Sequence, residues 1–290
     1  MLFEVTLSGV TLGGMYALVA MGLTLQYGVA RIMNLSYGEL LIAAAFAALW
    51  FYSGLAINPL IGLIVVPPIA FALSYAIYRV LLQPLVRRAK TRDALEVDSI
   101  LATFGLLFVI QGVMLAIFGG AYFSYSFLAV PLKIAGATVA ANRLLALLLA
   151  IAIGLGLYFG LTRTRIGTAV RAVAVDPVAA QLVAIDVRTA SALAFALGGA
   201  LVASAGVLVS MFLTFNANLG VVFTLKALVV VIMGGVGNLL GALIAGLILG
   251  LVENYVAVFV DPGLTLAATY AIFLLVLLVR PQGILGRSNR

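Results

Sequence analysis

The chain has 290 residues, 65% hydrophobic and 9% charged, with a formal net charge of +7 and neither cysteine nor histidine. An ordinary soluble domain carries roughly 45–50% apolar and about 25% charged residues, so a fold this apolar cannot cover itself with polar groups and must meet lipid. The missing residue types exclude disulfides, thiolate nucleophiles, His-ligated metals, haem and imidazole proton relays.

The opening Met1-Leu2-Phe3-Glu4 lacks a basic n-region, so no cleaved signal peptide is expected. A membrane span needs about 20 mostly apolar residues. Such stretches fall at 5–28, 36–53, 59–82, 99–118, 143–161, 189–213, 223–253 and 264–279. The expected fold class is therefore all-α: a polytopic membrane helical bundle of about eight hydrophobic segments, one transmembrane domain over 1–290. Glycine, with 30 copies, suits close helix approach in lipid.

Basic residues set the orientation. Arg79, Arg87, Arg88, Lys90 and Arg92 mark the loop at 79–98 as cytoplasmic. Arg163, Arg165, Arg171 and Arg188 do the same for 162–188, and Arg280, Arg287 and Arg290 for the tail. The loop at 119–142 carries only Lys133, with Arg143 at its edge, and is expected outside. With this orientation the positive charge serves the membrane, and no nucleic-acid partner is expected. Segment 223–253 must then begin and end on the outer side. It is predicted to be a broken, re-entrant helix pair that turns near mid-membrane at Gly234, Gly235, Gly237 and Asn238, so that a cysteine beside Gly237 would be reached from outside. The N-terminus is placed outside and Arg31 near the inner face, so 5–28 and 36–53 form a similar hairpin. The openings Ala17-Leu18-Val19-Ala20-Met21 and Ala227-Leu228-Val229-Val230-Val231 hint at a parallel internal repeat, a common plan in transporters.

Ser36-Tyr37-Gly38-Glu39 fits the capping box S-x-x-E, in which serine and glutamate satisfy free amides of a first helical turn; this local role is the preferred reading. The functional alternative places Asn34, Ser36, Tyr37, Gly38 and Glu39 on a solute path, with Gly234, Gly235, Gly237 and Asn238 lining it from the other break. Ala242, Gly246 and Gly250, at four-residue spacing, are assigned to helix packing. Lys226 and Glu253 are expected to snorkel to the outer interface, and Asn216 and Asn218 to form a turn. In the loop at 162–188, Asp176-Pro177 reads as an N-cap followed by proline at the first helical position. Val178, Leu182 and Ile185 then give a short amphipathic helix, a docking knob facing the cytoplasm with Ala179, Ala180 and Ala184 as its small residues. No P-loop, zinc-protease helix or nucleophile elbow is present in the sequence, and no dense intramembrane acid chain. No catalytic residue and no metal site is expected, and energy should come from a partner.

Several stretches resemble the permeases of branched-chain amino acid ABC transporters. The run begins at Gly9-Val10-Thr11-Leu12-Gly13-Gly14-Met15-Tyr16-Ala17-Leu18 and continues with Gly22-Leu23-Thr24-Leu25, Tyr27-Gly28-Val29 and Met33-Asn34-Leu35-Ser36-Tyr37-Gly38-Glu39. It goes on through Thr164-Arg165-Ile166-Gly167 and Arg171-Ala172-Val173-Ala174-Val175-Asp176-Pro177. It closes with Met233-Gly234-Gly235-Val236-Gly237-Asn238 and Arg280-Pro281-Gln282-Gly283-Ile284-Leu285-Gly286. Each piece is weak alone; order and spacing together are specific. The resemblance implies import of branched-chain or other hydrophobic amino acids across the bacterial inner membrane. It implies a second, homologous permease, two cytoplasmic ATPases holding ATP and Mg, and an outer binding protein, with no cofactor in this chain. Gly167, Arg171, Asp176, Pro177, Ala179, Ala180 and Leu182 would couple to an ATPase. Ala184 stands where the family usually has glycine. Within the class the alternative is a urea, short-amide or aromatic-acid importer; outside it, an ATP-independent channel or secondary carrier.

Overall fold

The computed structural model describes residues 2–89, 91–134 and 137–286. Lys90, Arg287 and Arg290, three of the basic residues expected on the cytoplasmic side, lie outside them. Helix α1 (Leu2–Leu25) runs on through a π turn, Gln26–Ala30, and ends at Arg31 in a left-handed conformation (φ 57°). Residues 31–36 are non-helical, and α2 (Tyr37–Gly54) follows. Next, α3 (Pro59–Ile77) continues through a second π turn, Tyr78–Leu82, into α4 (Gln83–Arg88). Helix α5 (Arg92–Phe118) leads to an antiparallel hairpin of β1 (Pro131–Ile134) and β2 (Ala137–Ala140), with Pro131 opposite Ala140. Then come α6 (Ala141–Arg163), α7 (Arg165–Val175), α8 (Pro177–Leu182) and α9 (Val187–Ser210). The chain finishes with α10 (Gly220–Gly234), α11 (Leu239–Phe259) and α12 (Thr265–Val279).

The fold is the expected polytopic helical bundle. Among the described residues, eight stretches are long and apolar enough to cross a membrane, and α10, with 15 residues, is a shorter apolar helix. At about 1.5 Å per residue it is too short to cross the hydrocarbon core alone. The expected broken pair at 223–253 is α10 and α11, interrupted at residues 235–238. The strand hairpin adds to the all-α expectation. It lies within residues 119–142, where Thr138 and Val139 favour extended backbone.

Helix packing follows the small residues. Gly9 and Gly13 of α1 face Gly246 and Gly250 of α11; an added Cβ at Gly13 would stand 2.8 Å from the Leu247 Cα. This is backbone-to-backbone contact, which in lipid replaces hydrophobic drive as the source of association. On α3, Gly62, Val66, Ala70 and Ser74 form a buried i, i+4 stripe, and Ser74 and Ala70 receive Gly199 of α9. Helix α9 is the most enclosed element, with Ala192, Ala194, Val202, Ala203 and Ala205 all inaccessible. Ile64, Leu101 and Leu278 are exposed on the outer faces of α3, α5 and α12, as lipid contact requires.

One end of the bundle collects the basic residues. There Arg31 donates to the Ala174 carbonyl at 3.4 Å, Tyr27 donates to Glu96 at 3.0 Å, and Arg79 donates to Thr189 at 3.2 Å.

Candidate functional site

Breaks in membrane helices leave backbone groups that need partners, and polar side chains gather where the breaks are. Gln26 is fully buried in the π turn. Its Nε2 donates to the Phe195 carbonyl of α9 at 2.8 Å, and its Oε1 accepts from Asn34 Nδ2 at 3.1 Å. Asn34 Oδ1 in turn accepts from the Ser36 amide at 3.1 Å and the Ser36 hydroxyl at 2.7 Å. This Asx turn stabilises the non-helical stretch that delivers α2 into the bundle. Tyr37 donates to the Gly198 carbonyl at 3.0 Å, and the Gly38 amide donates to Thr224 Oγ1 of α10 at 2.8 Å. The Leu35 amide donates to Thr103 of α5 at 3.1 Å.

Glu39 follows at the start of α2. It is fully buried, and neither carboxylate oxygen has a hydrogen-bond partner among the described residues. The carboxylate rests on Gly220, the first residue of α10; a Cβ at that position would fall on it. The predicted capping box is therefore corrected: Ser36 makes no side-chain cap, because Asn34 takes its hydroxyl, and Glu39 turns toward α10.

Asn34, Ser36, Tyr37, Gly38 and Glu39 thus come together, with Gln26, Gly220 and Thr224 joining them. Sequence reasoning missed those three. The available signal was a polar residue inside an apolar run, which in lipid demands a partner.

The second predicted set lies elsewhere. Gly235 (φ 101°) and Gly237 (φ 80°) take backbone conformations that a side chain would strain, so the glycine cluster does make the break. Asn238 Oδ1 accepts from the Gly241 amide at 3.0 Å and caps α11. The turn, however, sits at the basic end, beside Gly28 and the residues after Arg280. The Ile284 amide donates to the Met233 carbonyl at 2.8 Å, and Asn238 Nδ2 donates to the Leu285 carbonyl at 2.8 Å. Gly234, Gly235, Gly237 and Asn238 therefore hold the C-terminal segment rather than meeting Glu39, and the mid-membrane depth expected for them is corrected. The reason lies at the other end of the helix: α10 starts inside the bundle, level with Gly38, so its 15 residues carry the turn to the basic end.

Lys226 and Glu253 do not snorkel. Lys226 Nζ lies 2.8 Å from Glu253 Oε2 and donates to the Tyr16 hydroxyl at 2.7 Å. Tyr16 donates to Glu253 Oε2 at 2.6 Å and Thr269 to Oε1 at 2.5 Å. The pair joins α10, α11, α1 and α12 inside the bundle. Asn216 does form a turn, accepting from the Asn218 amide at 3.1 Å.

In the loop at 162–188, Asp176 Oδ1 accepts from the Val178 and Ala179 amides at 2.8 and 3.1 Å and caps α8, with Pro177 at its first position. Gly167 is pressed on the Leu161 backbone, and Ala180 is buried among Val173, Leu161 and Ala190. Ile185 is half-buried, so the exposed apolar face is not the predicted one in full. It comprises Val175, Val178, Leu182 and Val183, with Leu182 85% exposed. Arg171 and Ala179 are exposed beside it.

Among the described residues, eight apolar stretches long enough to cross a membrane and a half-length helix meeting a polar break define a class: a multi-pass helical membrane protein. The chain belongs to the family described as the permease component of the branched-chain amino acid transport system, whose model matches residues 5–279. It is 30% identical to the high-affinity branched-chain amino acid transport system permease protein BraD of Pseudomonas aeruginosa, over 97% of this chain and 95% of that one. It is 28% identical to the corresponding permease protein LivH of Escherichia coli, over 97% and 94% of the two chains. The probable branched-chain amino acid transport permease protein LivH of Methanocaldococcus jannaschii is 27% identical, over 93% and 88%. No solved structure matches the chain.

Proposed function

We propose that this chain is the permease subunit of an ATP-binding-cassette importer for branched-chain or other hydrophobic amino acids, in the bacterial inner membrane. The observation that carries the reading is likeness along almost the whole chain to proteins named as branched-chain amino acid transport permeases. On this reading the chain works with a homologous second permease, two cytoplasmic ATPases that hold ATP and Mg, and an outer substrate-binding protein. The permease itself carries no cofactor and performs no covalent chemistry. Loop 162–188 is the coupling segment: α8 presents Val178 and Leu182 outside the apolar spans, the kind of exposed stripe that docks into a groove.

The test is uptake by the complete complex in proteoliposomes, with and without ATP on the ATPase side. ATP-dependent uptake of leucine or valine that requires the binding protein is expected. Uptake of urea, a short amide or an aromatic acid instead would keep the mechanism and replace the substrate. Uptake without ATP would overturn the reading in favour of a channel or secondary carrier.

A further inference from the structure

The Glu39 carboxylate is enclosed on every side, lacks a hydrogen-bond partner among the described residues, and rests on the first residue of α10. The first amides of a helix have no intrahelical acceptor, and Leu219 gives α10 no side-chain cap. At Gly220, Val221 and Val222, then, three donors at the positive end of a helix dipole stand next to a single acceptor group. Both lie inside the bundle, where an unpartnered carboxylate is strongly disfavoured unless a ligand or proton meets it. An acceptor for an ammonium beside donors for a carboxylate matches the head of an amino acid, whose two charged groups share one carbon. Half-helix ends inside membranes offer this kind of contact to charged solute groups.

We propose that Glu39 and the N-terminus of α10 bind the zwitterionic head of the transported amino acid, Glu39 accepting from its ammonium and the free amides donating to its carboxylate. This rests on the amino-acid import reading above. The site is shut on the side away from the basic end. Phe46 stands two turns beyond Glu39 on the same face of α2. Its ring stacks on Phe118 at 4.1 Å and meets Phe123 and Phe215 edge-on at 5.5 and 5.2 Å. Phe215 belongs to the segment leading into α10, and its backbone exchanges hydrogen bonds of 2.8 and 2.9 Å with Phe123. A solute arriving past these rings parts them to reach Glu39, so the structure is closed on this side.

The experiment compares wild type with Glu39→Gln in the complete reconstituted complex, following leucine uptake and ATP hydrolysis together. The variant is expected to lose at least tenfold in uptake while the loaded binding protein still stimulates hydrolysis. Uptake within twofold of wild type overturns the site and leaves the import reading standing. A wild-type complex that takes up no amino acid overturns that reading, and the site with it. Should the variant lose both activities, a measurement on wild type decides. An apolar carbodiimide, which attacks buried carboxylic acids, is added during ATP turnover, and the Glu39 peptide is quantified by mass spectrometry. Leucine is expected to lower modification of Glu39 severalfold. Equal modification with and without leucine, or none in either case, overturns the proposal.

Discussion

Lys226 and Glu253 illustrate what a charged pair does in a lipid-surrounded bundle. Each ion is disfavoured there alone, but every oxygen and the ammonium find partners: Tyr16 and Lys226 at Oε2, Thr269 at Oε1. Breaking such a pair from one side leaves the other charge buried and typically costs about 3–5 kcal/mol, whereas removing both is often close to neutral. Lys226→Met should therefore lower the unfolding midpoint in detergent strongly, and Lys226→Met with Glu253→Gln should recover most of the loss. Additive losses would show that the contact carries no coupling. At the start of α9, Asp186 is the N-cap. The Thr189 hydroxyl at 2.5 Å, then the Thr189 and Arg188 amides, hold its carboxyl below the usual aspartate value. Because the folded value is the lower one, the contribution is complete above the ordinary range, about pH 4, and is lost as acid takes the pH down through the folded value. Asp186→Ala should cost roughly 1 kcal/mol near neutral pH, as lost caps do. That deficit should shrink in thermal scans below about pH 4; a constant deficit would show that the charge is irrelevant.

At the scale of elements, two helix ends decide how the chain folds back. The end of α8 is a Schellman cap: Ala184 sits at φ 61°, the Ile185 amide donates to the Ala180 carbonyl at 3.1 Å and the Ala184 amide to the Gln181 carbonyl at 3.1 Å. An alanine there costs roughly 1–2 kcal/mol, which glycine avoids at about 0.5–1 kcal/mol of chain entropy. Ala184→Gly should thus stabilise the fold by less than about 1 kcal/mol, raising the unfolding midpoint slightly and slowing proteolysis of loop 162–188. Glycine is what the family resemblance leads one to expect here, and the backbone explains why. The other end is the α10–α11 turn. Its glycines announced a break, since Gly235 and Gly237 are needed for positive φ. Its depth was not legible, because that depends on where α10 begins, and α10 begins inside the bundle through the contact of Thr224 with Gly38. The same hidden offset made Lys226 look like an interfacial residue. A cysteine replacing Val236, which is exposed, should be labelled from the cytoplasmic side; labelling only from outside would put the turn back where the sequence suggested.

For the whole molecule, apolar segments were enough to predict a helical membrane bundle with eight long apolar stretches, because that much follows from transfer to lipid. The gathering of Asn34 to Glu39 around α10 was half legible: the residues were polar in an apolar run, but their partners Gln26 and Thr224 are 8 and 186 residues away from Asn34 and Gly38 respectively. The docking role proposed for α8 rests on its surface. Val175, Val178, Leu182 and Val183 are exposed in a part of the chain that lies outside the apolar spans, so lipid does not account for them. The helix beneath is rigidly held, by the Asp176 cap and by buried Ala180, so a force applied to it is transmitted to α7 and α9. The coupling proposed for this face makes a specific demand on variants. Leu182→Asp adds a charge to the exposed stripe without touching the buried side, and should leave the permease folded while reducing binding-protein-stimulated ATP hydrolysis by tenfold or more. Asp176→Ala with Pro177→Ala loosens the helix itself, and should uncouple in the same way with a lower thermal midpoint. Stimulated hydrolysis at the wild-type rate in Leu182→Asp would remove the docking role from α8 and leave the exposed stripe without a partner.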